Sequence, residues 1–253
     1  MAQIGLHAYI ALSLKKKLPK KQWFFVSFLF GSIVPDIDAL FTFIASLFMP
    51  LEESLIVFHR TFSHNIFIVI ILYLICLAIY EFKKNKNYLH IANGMILGMS
   101  LHLFIDIFLW FDAIHLFWPL PLERLDMWPN FSPSNFITKT LMIFEFVFLR
   151  LFAWEMTKII IETPGRNGSS LQSLNYFMKT QLIFIVTFLI VSYFLNGIII
   201  YYIFSLFYIP SIMMAIFYVF ELRTNINEYM FLKVREKEYS QSTSRKTPIR
   251  NIQ

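Results

Sequence analysis

Carboxylate and imidazole side chains recur in three short motifs of the first half of the chain, each inside or beside an apolar stretch. The motifs VPDID, HRTFSHN and HLFID supply six of them: Asp36, Asp38, His59, His64, His102 and Asp106. Ionisable groups are costly inside a lipid bilayer, so their presence in apolar helices marks candidate functional sites. Imidazole and carboxylate ligands without thiolates favour Zn, Mn, Fe or a similar divalent ion.

This chemistry predicts a metal-dependent hydrolase that binds one or two divalent ions, with Zn as the first candidate and Mn or Fe as alternatives. The predicted metal ligands are His7, Asp36, Asp38, His64, His102 and Asp106. A bound ion activates water for attack on an ester or phosphoester. We assign catalytic roles to Asp38, His59 and Arg60. Arg60 is included because an arginine can clamp a phosphate or neutralise a carboxylate.

The chain that must position these residues has the composition of a membrane protein. Of its 253 residues, 57% are apolar and 15% are charged, and the mean hydropathy is +0.60. Soluble globular chains average about 45–50% apolar and about 25% charged residues. The composition excludes an ordinary soluble enzyme, a disordered chain and a collagen-like fibre. We therefore predict an all-α fold, a polytopic transmembrane helical bundle in the plasma (inner) membrane.

Six apolar segments are each near the roughly 20 residues needed to cross the hydrocarbon core. They lie at about 22–48, 65–82, 88–111, 136–161, 180–196 and 198–220. The run Ile4–Leu14 is too short to span and is predicted to be a short interfacial or half-inserted helix. Basic residues concentrate in every second loop, which is typical of cytoplasmic loops and accounts for the net charge of +6. Nucleic acid is therefore not a predicted partner.

Changes in composition divide the chain into four predicted regions. Residues 1–162 form a membrane domain with the metal site, and residues 163–179 form a cytoplasmic linker rich in Gly, Pro and Ser. Residues 180–221 form a C-terminal transmembrane hairpin, and residues 222–253 form a disordered basic tail in the cytoplasm.

The helical rise places three of the motifs at a similar depth. Counted at 1.5 Å per residue from the nearest cytoplasmic lysines, Asp36, His102 and His64 lie about 22, 24 and 28 Å into the membrane. His7 lies only about 12 Å deep, so its place in the site stays open. Pro35 removes a helical hydrogen bond and predicts a kinked or unwound first span. Unwound backbone at this depth is tolerated only where it is buried in protein or lines a wet cavity.

The order of these motifs resembles a known family, the YdjM-like, LexA-regulated inner-membrane proteins, which are described as membrane-bound metal-dependent hydrolases. The matching segments are GLHAYIAL with His7, PDID, HR-x-x-SH, H-x-x-x-D and the aromatic-Pro segment at His115–Leu120. The resemblance covers about residues 1–125. Thr61, Ser63 and Trp110–Ile114 depart from the usual family residues. These departures leave the ligands in place and affect the expected shape of the substrate.

Two other functions fit the same residues. A proton- or cation-coupled carrier would use the imidazoles and carboxylates as a relay and would hydrolyse nothing. A structural membrane protein would use them as hydrogen bonds between helices, with Asp36 and Asp38 capping the turn after Pro35. The hydrolase hypothesis predicts a lipid-like phosphoester substrate and contact with membrane lipid, because the site lies within the membrane.

Overall fold

The computed structural model describes residues 4–59, 61–109, 111, 113–163 and 168–232, and most of these residues are helical. The helices labelled within these residues are α1 Ile4–Ser13, α2 Phe24–Gly31, α3 Asp38–Ser46, α4 Leu51–Phe58, α5 Ile66–Lys83, α6 Lys86–Leu109, α7 Asn135–Glu162, α8 Gly168–Phe194 and α9 Ile198–Glu221. Short 3₁₀ segments occupy Leu14–Lys16 and Val34–Ile37. Within the described ranges the only β pairing is an isolated bridge between Ile114 and Leu125. The predicted all-α class is confirmed.

Four helices are long and apolar enough to cross a membrane by themselves: α5, α6, α8 and α9. The pair α2 and α3 together makes a fifth candidate span. The predicted number of about six is not confirmed, because α7 is 28 residues long but carries charged side chains along its length. These are Lys139, Glu145, Arg150, Glu155, Lys158 and Glu162.

The first span is broken where the sequence predicts a break. Its two helices are bent by 45°, and Pro35 lies in the 3₁₀ segment between them. The Asp36 N–H donates to the carbonyl of Ile33 at 3.2 Å, and not to the carbonyl of Ser32, which is its partner in a regular α-helix. The carbonyl oxygen of Ser32 is thereby left for another donor, because the break at Pro35 interrupts the regular helical hydrogen bonds.

Helix α1 is buried against other helices of the bundle, and its predicted interfacial or half-inserted position in the membrane stays a prediction. Ile4, Ala8 and Leu12 have no exposed surface and belong to the main apolar core. The physical reason is a close approach to α7: a Cβ atom at Gly5 would lie 2.8 Å from the carbonyl oxygen of Glu145. A short apolar helix with such a face is stabilised by another helix as well as by lipid.

The regions predicted after residue 162 also differ from the structure. Helix α8 begins at Gly168 and includes most of the predicted linker, while residues 164–167 lie outside the described ranges. Residues 223–232 are helical, although the predicted tail begins at 222. Ile226, Tyr229 and Met230 repeat at helical spacing and are buried, which explains why this segment is ordered. Residues 233–253 lie outside the described ranges.

Helices α2 and α6 pack closely because small residues lie between them. Gly94 and Gly98 form a G-x-x-x-G pattern on α6, which is typical of close helix contacts in membranes. A Cβ atom at Gly98 would overlap the carbonyl oxygen of Phe28, and it would lie 2.9 Å from the Ser32 nitrogen. This contact brings the end of α2 against the part of α6 that carries His102.

We predict that Gly98→Ala lowers the free energy of unfolding by about 1–3 kcal/mol, because the added methyl group forces the two backbones apart. Gly168→Ala is the matched control, since a Cβ atom there would have no neighbour within 4 Å among the described residues. Denaturation of both variants in detergent measures the difference. Equal stability of the two variants would show that the α2–α6 contact is looser than described.

Candidate metal centre

Helices from four parts of the chain bring the predicted ligands together in the interior. His7 lies on α1, Asp36 in the 3₁₀ segment, and His64 just before α5. His102 and Asp106 lie one turn apart on α6. All five side chains are at most 1% exposed. The common depth of the three motifs, predicted by counting residues, agrees with this convergence.

Four of these side chains form a group that is suited to a metal ion. They are Asp36, His64, His102 and Asp106, and each offers one ligand atom within 4.8 Å of all the others. The Nε2 atom of His64 lies 3.4 Å from Oδ1 of Asp36 and 3.2 Å from Oδ2 of Asp106. The Nε2 atom of His102 lies 3.7 and 3.6 Å from the same two oxygens. The two Nε2 atoms are 3.0 Å apart.

Hydrogen bonds on the far side of each imidazole fix which nitrogen faces the group. His102 Nδ1 lies 2.8 Å from the carbonyl oxygen of Ser32, and a carbonyl can only accept, so Nδ1 carries the proton and donates. In the neutral ring, Nε2 then presents its lone pair to the group. Metal-binding histidines are commonly oriented in this way by a carbonyl or carboxylate behind them.

Asp38 does the same for His64. Its Oδ2 atom lies 3.2 Å from His64 Nδ1 and accepts a hydrogen bond from the Ser63 hydroxyl at 2.7 Å. Its Oδ1 atom accepts from His59 Nδ1 at 3.1 Å. Asp38 is therefore in contact with the ring edge of His64 that faces away from the four-residue group.

The separations that involve the two imidazole Nε2 atoms are close to those around a small divalent ion. Four ligands in a tetrahedron with bonds of about 2.0–2.1 Å have edges of about 3.3 Å, and the separations given above range from 3.0 to 3.7 Å. Two carboxylates and two neutral imidazoles carry two negative charges, which one divalent ion neutralises. In an apolar interior such a balance matters, because an uncompensated charge there is very costly.

His7 lies beside the group although its depth count does not predict it. Its Nε2 atom donates to Oδ1 of Asp106 at 3.0 Å and lies 3.9 Å from Oδ2 of Asp36. Its ring stacks on His102 with 3.8 Å between the centroids. The burial of α1 accounts for this position. His7 is not among the four grouped residues, and its predicted role as a ligand stays a prediction.

Of the predicted catalytic residues, His59 lies next to Asp38. His59 is 8% exposed and is linked to the group through Asp38. Arg60 lies outside the described residues, so its predicted role is neither supported nor contradicted by geometry. The metal role predicted for Asp38 also stays a prediction, since its oxygens contact His59, Ser63 and His64.

Sequence reasoning missed two supports of the centre. One is the backbone carbonyl of Ser32, which the break at Pro35 makes available to His102; Pro35 is the signal that could have revealed it. The other is Glu145 on α7, fully buried, whose Oε1 atom accepts a hydrogen bond from the Gly5 N–H at 2.6 Å. That bond fixes the start of α1 and with it the position of His7.

The fold and the site together define a multi-pass helical membrane protein with a buried group of two histidines and two aspartates. The chain belongs to the YdjM inner membrane protein family, whose model matches residues 2–201. The predicted resemblance is confirmed, and it extends well beyond residue 125. No curated protein and no solved structure matches the chain.

We predict that the purified protein contains a divalent transition metal and that His102→Ala loses it, because one of the four ligands is removed. His90→Ala is the matched control, since His90 lies on the same helix and is not one of the four grouped residues. Metal content per protein, measured by mass spectrometry on the monodisperse fraction, checks the prediction. Retention of metal by the folded His102→Ala variant would exclude His102 as a ligand.

Asp38→Asn tests the support behind His64. An amide keeps the size of the side chain but weakens the acceptor for His64 Nδ1, and such changes typically lower metal affinity about 10–100-fold. Asp126→Asn is the control, because Asp126 lies between α6 and α7, outside the four-residue group, and accepts a hydrogen bond from the Trp128 N–H. Competition with a chelator measures both affinities. An unchanged affinity in Asp38→Asn would mean that Asp38 does not orient the site.

Proposed function

We propose that this protein is an integral membrane metal-dependent hydrolase that acts on an ester or phosphoester of an amphiphilic substrate. The observation that carries the proposal is the convergence of two imidazole Nε2 atoms and two carboxylates in an apolar interior. A divalent ion held there supplies Lewis acidity toward water and toward a carbonyl or phosphoryl oxygen. Family membership and four apolar helices support the membrane location.

In this proposal different residues bind the ion, orient the imidazoles and stabilise charge on the substrate. The side chains that would hold the ion are Asp36, His64, His102 and Asp106. Asp38 orients the imidazoles of both His64 and His59 through its two oxygens. In the neutral ring His59 then has a lone pair at Nε2, since its Nδ1 donates to Asp38, and this nitrogen can accept a proton. Arg60 follows directly in the chain and is assigned the stabilisation of negative charge that develops on the substrate.

A substrate for this centre needs an apolar part. The four grouped side chains are at most 1% exposed, and they are surrounded by helices that face lipid. A lipid-like phosphoester meets this need, because its hydrocarbon stays in an apolar environment while the polar bond reaches the centre. In the same proposal the positive-inside rule places the C-terminal segment in the cytoplasm.

The identity of the metal distinguishes catalysis from a structural role. Four protein ligands complete a tetrahedral zinc shell, as in closed structural zinc sites. Mn or Fe accepts more ligands and keeps positions for a substrate when four come from the protein.

We predict that the metal-loaded protein in lipid nanodiscs hydrolyses at least one lipid ester or phosphoester, and that chelation abolishes the activity. The assay follows release of phosphate or fatty acid from a panel of phospholipids and long-chain phosphate monoesters. Asp106→Asn should lose activity by at least about 100-fold, in line with the loss of a stabilising charge at the centre.

His90→Ala is the control that should keep both metal and activity. A wild-type protein that stays free of metal after reconstitution with Zn, Mn or Fe would overturn the proposal. A metal-loaded protein that is inactive on the whole panel, but that carries protons or cations into liposomes, would support a carrier in its place.

A further inference from the structure

A cavity of about 670 Å³ lies beside the metal centre and has no role in the proposal above. Its walls come from one face of α3, from α4 and from the first half of α9, and the loop before α7 and the start of α7 contribute the remaining side. The α9 wall runs from Ile198 to Tyr208, which spans about 15 Å at the helical rise. The cavity is therefore long enough to hold an extended chain.

One end of the cavity reaches the metal centre. His59 lines the cavity, and its Nδ1 atom donates to Asp38, which contacts His64. Ala39, the residue after Asp38, also lines the cavity. A ligand inside is thus separated from the four grouped residues by a single layer of side chains.

The walls are suited to hydrocarbon although they contain hydroxyl groups. The hydroxyls of Thr42, Ser46 and Ser205 donate to carbonyls of their own helices at 3.0, 2.7 and 2.9 Å. Each hydroxyl proton is therefore already in a hydrogen bond, so these side chains need no acceptor from a ligand. Most other lining residues are aliphatic or aromatic, as is common for sites that bind apolar ligands.

Charge in the cavity favours an anionic head group. Among the described residues that line it, Arg124 is the one with a permanent charge, and none is a carboxylate. An arginine guanidinium binds phosphate through directed hydrogen bonds as well as charge. A cationic lipid would find no partner of opposite charge on these walls.

We propose that the cavity binds a single-chain lipid phosphate, with the hydrocarbon along α3 and α9 and the phosphate near His59 and Arg124. This inference rests on the proposed function in that it names the substrate class of the same site. It assigns recognition of the substrate to residues that take no part in holding the ion. The bond that would be hydrolysed is the phosphate ester, at the end of the cavity next to Asp38.

The test uses dodecylphosphonate, which cannot be hydrolysed at its carbon–phosphorus bond, and uncharged dodecanol. Binding of each to the metal-loaded protein in nanodiscs is measured by native mass spectrometry. Ser205→Trp fills the cavity and should weaken both ligands by at least about tenfold, equivalent to about 1.4 kcal/mol. Leu206→Trp is the matched control, because the adjacent side chain is 64% exposed on the outer face of α9; it should bind both ligands like the wild type.

Arg124→Gln tests the head group. It should weaken dodecylphosphonate by about tenfold and leave dodecanol unchanged, since only the phosphonate is charged. Ser46→Phe fills the cavity from α3 and replaces Ser205→Trp as the test if that variant does not fold. Failure of the wild type to bind dodecylphosphonate, or wild-type binding by a folded cavity-filling variant, would overturn the inference.

Metal content of the same preparations separates this inference from the proposed function. Metal retained in a wild type that does not bind dodecylphosphonate would overturn the cavity assignment and leave the metal centre in place. Cavity-dependent binding by a protein that takes up no metal would overturn the hydrolase proposal and leave a lipid-phosphate site.

Discussion

The structure depends on one electrostatic constraint: two carboxylates and two imidazole lone pairs meet in a buried interior. Asp36 and Asp106 face the same two Nε2 atoms within 3.7 Å, and such a group is stable only with compensating positive charge. The ring orientations are set from behind, by the Ser32 carbonyl and by Asp38. The helices are arranged so that these two supports and the four grouped side chains coincide.

Backbone features make that arrangement possible. The break at Pro35 exposes a carbonyl and turns Asp36 inward, and the Gly94 and Gly98 contact sets α6 against the end of α2. Glu145 holds the start of α1 through the Gly5 N–H. The break at Pro35 removes regular helical hydrogen bonds, and the glycines remove side-chain contacts. Contacts with neighbouring helices in the bundle compensate for both losses. The centre therefore belongs to the fold as a whole, and no single helix contains it.

The sequence predicts the helical class, the break at Pro35 and the convergence of Asp36, His64, His102 and Asp106, because hydropathy, proline and residue spacing are local signals. It does not predict the burial of α1, since ten apolar residues suit a membrane surface as well as a helix interface. The sequence also does not predict that residues 223–232 are helical. The apolar pattern of Ile226, Tyr229 and Met230 covers few residues and lies among charged side chains. An analysis of side chains does not reveal that the Ser32 carbonyl supports His102, because the acceptor belongs to the backbone.

The centre and most of the cavity wall lie within the family match, but part of the α9 wall lies beyond it. Every residue of the four-residue group lies before residue 107, well inside the family match of residues 2–201. The α9 wall includes Tyr202, Ser205 and Tyr208, which follow that match. Side chains on α9 can therefore change the size of the cavity without touching a ligand or its hydrogen-bond partner. In the proposed function the chemistry would belong to α2 and α6 with their flanking segments, and α9 would contribute, with α3 and α4, to the choice of hydrocarbon.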